Sequence, residues 1–243
     1  LLVLFLAITS CAKEIKKVEL TDAQLPKNVL PILKPAAKDS TELTATYIQE
    51  KRAKIDAFYK KNWPNNTMNG SFLVAQNGQI IYEKYNGLAN LRDKDTITSE
   101  TPLHIASVSK VLTATVILKL VNAKRLDLDQ KVTTLLDRFP YPDVTVRTLL
   151  NHRSGIRNYS YFTDRKANIW DRHKTLTNQD LLDLMATKNI GLEFRTDSRF
   201  AYCNTNYAML ALIIEKVTKL SYIEAMNKML FQPLGMTHSF VCD

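Results

Sequence analysis

The chain has 243 residues, 45% hydrophobic and 23% charged, enough for one large globular domain or two smaller ones. Its formal charge is +9, but no basic run is interleaved with aromatics, no Cys/His spacing suits zinc, and no glycine-rich loop suits a phosphate. Nucleic-acid binding, a metal and an organic cofactor are therefore not expected, and the charge reads as solubility plus attraction to anionic surfaces such as membrane or cell wall.

Residues 1–10 form an apolar run too short to span a bilayer as a helix, and suited to the apolar part of a secretory signal peptide. Without an initiator Met or basic leader, the chain is expected to begin inside that signal. Ile8-Thr9-Ser10-Cys11 resembles a bacterial lipobox, with cleavage before Cys11 and lipid on its thiol; the alternative is an ordinary signal with an incidental cysteine. Residues 11–43, with Pro26, Pro31 and Pro35, read as the lipidated N-terminus and tether. The expected location is the bacterial cell envelope, lipid-anchored, periplasmic or surface-exposed.

Residues 44–125 read as the first part of an α/β domain. Ile48, Ile55, Phe58 and Tyr59 fall on one side of a helix over 44–63. Residues 71–76 and 79–85 read as strands joined by Asn77-Gly78, a pair that accepts positive φ at both turn positions. The run Phe72-Leu73-Val74-Ala75 predicts burial on both faces, and residues 86–101 a polar loop.

Ser107-Val108-Ser109-Lys110 then opens the apolar run Val111, Leu112, Ala114, Val116, Ile117, Leu118, Leu120 and Val121, which predicts a buried helix. Ser107 falls in its first turn and Lys110 one turn on, along the same face. A serine hydroxyl needs an adjacent base to act as a nucleophile, and a lysine serves when desolvation or neighbouring charge keeps part of it neutral. Ser-x-x-Lys alone is weak, since its bland reading is a first-turn serine beside a solvated lysine. A second match, Ser10 to Lys13, falls at the expected cleavage site.

Residues 126–243 read as a helical subdomain. Val144 to Leu150 is a short helix, Thr177-x-x-Asp180 and Ser221-x-x-Glu224 are capping boxes, and 206–219 is an apolar helix. Whether Cys203 and Cys242 pair is left open.

From Phe72 to Phe240 the chain resembles the penicillin-recognising serine hydrolases: class C β-lactamases, D-Ala-D-Ala carboxypeptidases and related esterases. The resemblance rests on Ser107-Val108-Ser109-Lys110, Arg125-Leu126-Asp127-Leu128-Asp129, Leu149-Leu150-Asn151-His152-Arg153-Ser154-Gly155-Ile156, Phe200-Ala201-Tyr202-Cys203-Asn204-Thr205-Asn206-Tyr207 and Pro233-Leu234-Gly235-Met236, in the family's order. It implies an antiparallel sheet flanked by helices with an inserted helical subdomain. It implies Ser107 as nucleophile, Lys110 and Tyr202 as proton-moving groups, and Asn204 as a contact to the substrate amide and the lysine. His152 lies in a segment that supports the fold in the family. Thr196-Asp197 stands where the family has Pro-Gly, Cys203 where it has serine, and Asn206 where it has glycine. The family's Lys/His-x-Gly strand is absent, so the closing strands are expected to lie in a longer polypeptide. The expected function is a monomeric serine hydrolase acting on a β-lactam, a cell-wall D-Ala-D-Ala peptide or a small ester or amide. The alternative is a catalytically inactive ligand-binding or scaffolding lipoprotein.

Overall fold

The computed structural model describes residues 42–164, 169–171 and 173–242; Cys11, the signal and nearly all of the tether lie outside the described residues. Helix α1 (Ala45–Asn62) starts at Thr44, whose side chain accepts the Tyr47 N–H, and ends with Lys60 and Lys61 at its negative pole. It lies on the antiparallel ribbon of β1 (Gly70–Gln76) and β2 (Gln79–Asn86). Asn77 and Gly78 both take positive φ in the connecting turn, as their chemistry predicts. Phe58, Tyr59, Trp63, Phe72 and Tyr82 form one ring cluster between helix and ribbon. Two polar bonds fix the register: Arg52 Nε donates to Ile81 O at 2.9 Å, and Tyr82 Oη donates to Asp56 Oδ1 at 2.9 Å.

The structure corrects two expectations here. The Phe72–Ala75 run is not buried on both faces: burial alternates along β1 and Leu73 is 51% exposed. A helix covers one side of a two-stranded ribbon and leaves the alternate side chains of the pleat in solvent. The loop before Ser107 also carries a small antiparallel pair, β3 (Leu88–Asn90) with β4 (Asp95–Thr96), which polarity concealed.

Helices α2 (Ser109–Asn122), α3 (Val146–Leu150), α4 (Tyr159–Phe162), α5 (Asn178–Thr187), α6 (Asn204–Thr218) and α7 (Tyr222–Met226) follow. The second core is organised on α6, against which α2, α3, α5 and α7 all pack. Its residues Met209 to Ile214 are buried in succession, which suits a helix covered on several sides. Capping boxes at Thr177/Asp180 and Ser221/Glu224 start α5 and α7. Helix α2 is less buried than its composition predicts: Thr113, Val116, Ile117 and Leu120 face the core, but Val111 is 63% and Leu118 50% exposed. Its contacts with α6 and α7 occupy one side, and an all-round apolar sequence does not itself supply a neighbour for the other.

Candidate active site

Ser107 sits in the 3-10 turn Ala106–Val108 that runs into α2. Ala106, just before it, holds a left-handed φ of 45°, an uncommon conformation for a residue with a Cβ. One turn on, Lys110 points its Nζ to within 3.3 Å of Ser107 Oγ. Tyr202, 95 positions later, places its Oη 2.7 Å from the same oxygen. Lys110 Nζ also lies 5.0 Å from the Tyr202 ring centre and 5.7 Å from that of Tyr207. Hydrogen bonds from the Lys110 ammonium and then from Ser107 hold the Tyr202 phenol below its ordinary pKa. Ser107 and Tyr202 are exposed, so a substrate can reach them.

The structure thus brings Ser107, Lys110 and Tyr202 together. Asn204 opens α6 two residues beyond Tyr202. Its Oδ1 is shut off from solvent with no hydrogen-bond partner, so it is not bonded to Lys110 as the resemblance implied; the ammonium donates to Ser107 instead. Cys203 is a buried free thiol donating to Ile156 O at 3.2 Å, and Cys242 is an exposed one, so the two do not pair. Among the described residues no group of His, Cys, Asp and Glu is arranged to hold a metal.

Tyr202 is half exposed yet held in place, because the segment before it is zipped onto residues 152–155. The carbonyls of His152, Arg153, Ser154 and Gly155 accept, in turn, from Ala201 N–H (2.9 Å), Asp197 N–H (2.7 Å), Thr196 Oγ1 (2.8 Å) and Glu193 N–H (2.8 Å). Asp197, where the family has glycine, takes the left-handed φ of 64° that glycine would supply. Arg153 holds it there, with Nε 2.6 Å from Asp197 Oδ1 and the guanidinium also donating to Asp197 O. This ion pair spans residues 44 apart, and sequence reasoning missed it. Gly155 has φ of 80°, and a Cβ there would meet Phe194 O at 2.1 Å. Gly155→Ala is therefore expected to cost about 3–4 kcal/mol, by combining a disfavoured φ with a backbone clash that breaks the zipper. Urea unfolding measures it; a change below about 1 kcal/mol would show that the segment rearranges freely.

A Ser–Lys–Tyr cluster at the start of a helix, on a mixed scaffold of helices and small antiparallel sheets, defines the penicillin-recognising class of proteins. The chain belongs to that class: the profile of the Beta-lactamase family matches residues 57–241. It is 33% identical to penicillin-binding protein 4* of Bacillus subtilis (strain 168) over 195 residues, covering 79% of this chain and 42% of the relative. It is 32% identical to a D-aminopeptidase of Brucella anthropi over 172 residues, covering 69% of this chain and 31% of the relative. The crystal structure of a penicillin-binding protein from Bacillus halodurans superposes with a TM-score of 0.65 at 26% identity, covering 76% of this chain and 55% of that one. The chain spans less than half the length of the two curated relatives.

Proposed function

We propose that the protein is a serine hydrolase that forms an acyl-enzyme on Ser107. The observation that carries this reading is the 2.7 Å contact between Ser107 Oγ and Tyr202 Oη, with Lys110 Nζ at 3.3 Å from the same oxygen. Tyr202, its phenolate favoured by Lys110, takes the Ser107 proton as Oγ attacks the substrate carbonyl carbon. The Ser107 N–H is one donor for the oxyanion that forms. As the tetrahedral species collapses, the bond to the leaving group breaks, and the leaving group departs with the proton that Tyr202 had taken. Water then attacks the ester, losing a proton to Tyr202, which returns one to Ser107 Oγ as the acid is released. Asn204, two residues beyond Tyr202 at the start of α6, is the residue proposed to orient the substrate amide, with its side chain turning outward from the closed position in which its Oδ1 lies here.

The proposed substrates are a β-lactam, a D-Ala-D-Ala-type peptide or a small ester or amide. Relatives named as a penicillin-binding protein and a D-aminopeptidase favour a carbonyl flanked by an amide and a D-residue. The test treats full-length protein with a fluorescent penicillin and a fluorophosphonate, then maps adducts by peptide mass spectrometry. The expected adduct lies on Ser107. An adduct confined to another residue, or none with either probe, overturns the proposal.

A further inference from the structure

His152 has partners that core packing alone does not require. Its buried ring stacks against Tyr202, with centres 4.7 Å apart and planes inclined by 40°, and against Tyr207 at 5.2 Å and 35°. Phe200 meets it edge-on at 5.9 Å. Its Nδ1 accepts the Cys203 N–H at 3.2 Å and faces Asn206 Nδ2 at 3.5 Å. Asn206 is fully buried, and its amide is oriented by Ser154, whose hydroxyl donates to Asn206 Oδ1 at 2.7 Å while accepting the Ile156 N–H at 3.1 Å.

These contacts dictate where the proton sits. The Cys203 N–H is a donor with no acceptor character, so the Nδ1 it faces holds a lone pair. Asn206, turned by Ser154, presents a second donor to the same atom. The ring therefore carries its proton on Nε2. The charged and titratable groups facing it are Lys110 from α2, Tyr202 and Cys203 from the segment before α6, and Tyr207 from α6. Burial first, and the Lys110 charge second, push the imidazole below its ordinary pKa. A protonated Nδ1 would also turn a donor towards the Cys203 N–H.

The same residue grips both flanks of Tyr202. Its carbonyl accepts the N–H of Ala201, the residue before, and its Nδ1 accepts the N–H of Cys203, the residue after. We propose that His152 is a positioning residue for Tyr202: a neutral, Nε2-protonated imidazole, set in that tautomer by the Cys203 N–H with Asn206 as a second donor, which clamps the Tyr202 backbone on both sides and packs against its ring. The proposal rests on the acyl-enzyme reading of Ser107. Of the two groups that meet Nδ1, the Cys203 N–H is backbone and the Asn206 amide is a side chain that stands where the family has glycine, so only the second contact is particular to this chain's sequence.

The test uses full-length protein, with saturating fluorophosphonate labelling of Ser107 and long-range proton–nitrogen NMR of the histidines. His152→Phe keeps an aromatic ring but loses the acceptor. It is expected to slow labelling at saturation about 10–100-fold while the half-saturating probe concentration shifts less than about threefold, as misplacement by a fraction of an ångström would. His152→Asn restores an acceptor near the Nδ1 position and tolerates the positive φ of this residue, so it is expected to recover the rate to within about fivefold. The NMR spectrum is expected to show His152 with its proton on Nε2. A proton on Nδ1, equal rates for the Phe and Asn variants, or losses that simply track melting temperature would overturn the proposal. Ser107→Ala separates the two readings: if it labels like wild type, the acyl-enzyme fails on its own account, while the NMR result still decides the tautomer.

Discussion

Ser107→Ala is expected to abolish covalent labelling and to lower turnover of any acyl substrate by about 10⁴–10⁶-fold, the scale on which a covalent nucleophile acts. The protein is expected to stay folded. Among the described residues Ser107 Oγ bonds to Tyr202 and Lys110 alone, and the turn it occupies has no side-chain cap to lose. Both partners regain water when it is removed, so stability is expected to change by no more than about 0.5 kcal/mol. The nearest rival hydroxyl supplies the control. Ser109 Oγ donates to Ala106 O at 2.7 Å, which turns its proton back into the helix start and away from a base. Ser109→Ala is therefore expected to label within about threefold of wild type, because only removal of the activated hydroxyl lowers the acylation rate. Peptide mapping and a thermal melt on the three proteins decide the matter. Full labelling of Ser107→Ala, or loss in Ser109→Ala alone, would assign the nucleophile to the wrong serine.

What could be read in advance depended on how local its cause was. The Asn77-Gly78 turn and the boxes at Thr177 and Ser221 were legible because each is decided within a few residues, and the structure shows them where expected. The Ser107–Lys110 spacing was legible as one helical turn. Tyr202 was not: no periodicity links it to Ser107 across 95 positions, and only resemblance to a family suggested the pair. Apolar runs misled in one direction. Phe72–Ala75 and the apolar run of α2 were expected to be buried throughout, whereas Leu73, Val111 and Leu118 are exposed. Hydrophobicity records what a side chain prefers, and the surrounding topology decides which faces are covered. The Arg153–Asp197 clamp and the surroundings of His152 stayed invisible because they come from segments of ordinary composition, joined by backbone carbonyls that any sequence would supply.

Tyr202→Phe and Lys110→Met are each expected to slow acylation of Ser107 by about 10²–10⁴-fold, the range for a positioned general base. They are expected to respond differently to pH. The phenol is held below its ordinary pKa by Lys110 first and Ser107 second. Phenolate is the basic form, so the rate rises as pH climbs through that lowered pKa. Removing the Lys110 ammonium removes the larger cause, so the phenol pKa moves up and the rising limb moves to higher pH. Lys110→Met should then recover much of its lost rate in alkaline solution. Tyr202→Phe has no phenol to ionise and should show no such recovery. Lys110→Arg retains the charge while altering its placement, so its limb should stay nearer wild type than that of the Met variant. The double variant should be little slower than Tyr202→Phe alone, because the lysine works through the tyrosine and the two losses do not add. Rates of fluorophosphonate labelling across pH measure all of this. If Lys110→Met loses the same factor at every pH while Tyr202→Phe keeps most of its rate, the proton passes directly from serine to lysine, and the tyrosine is only a wall of the site.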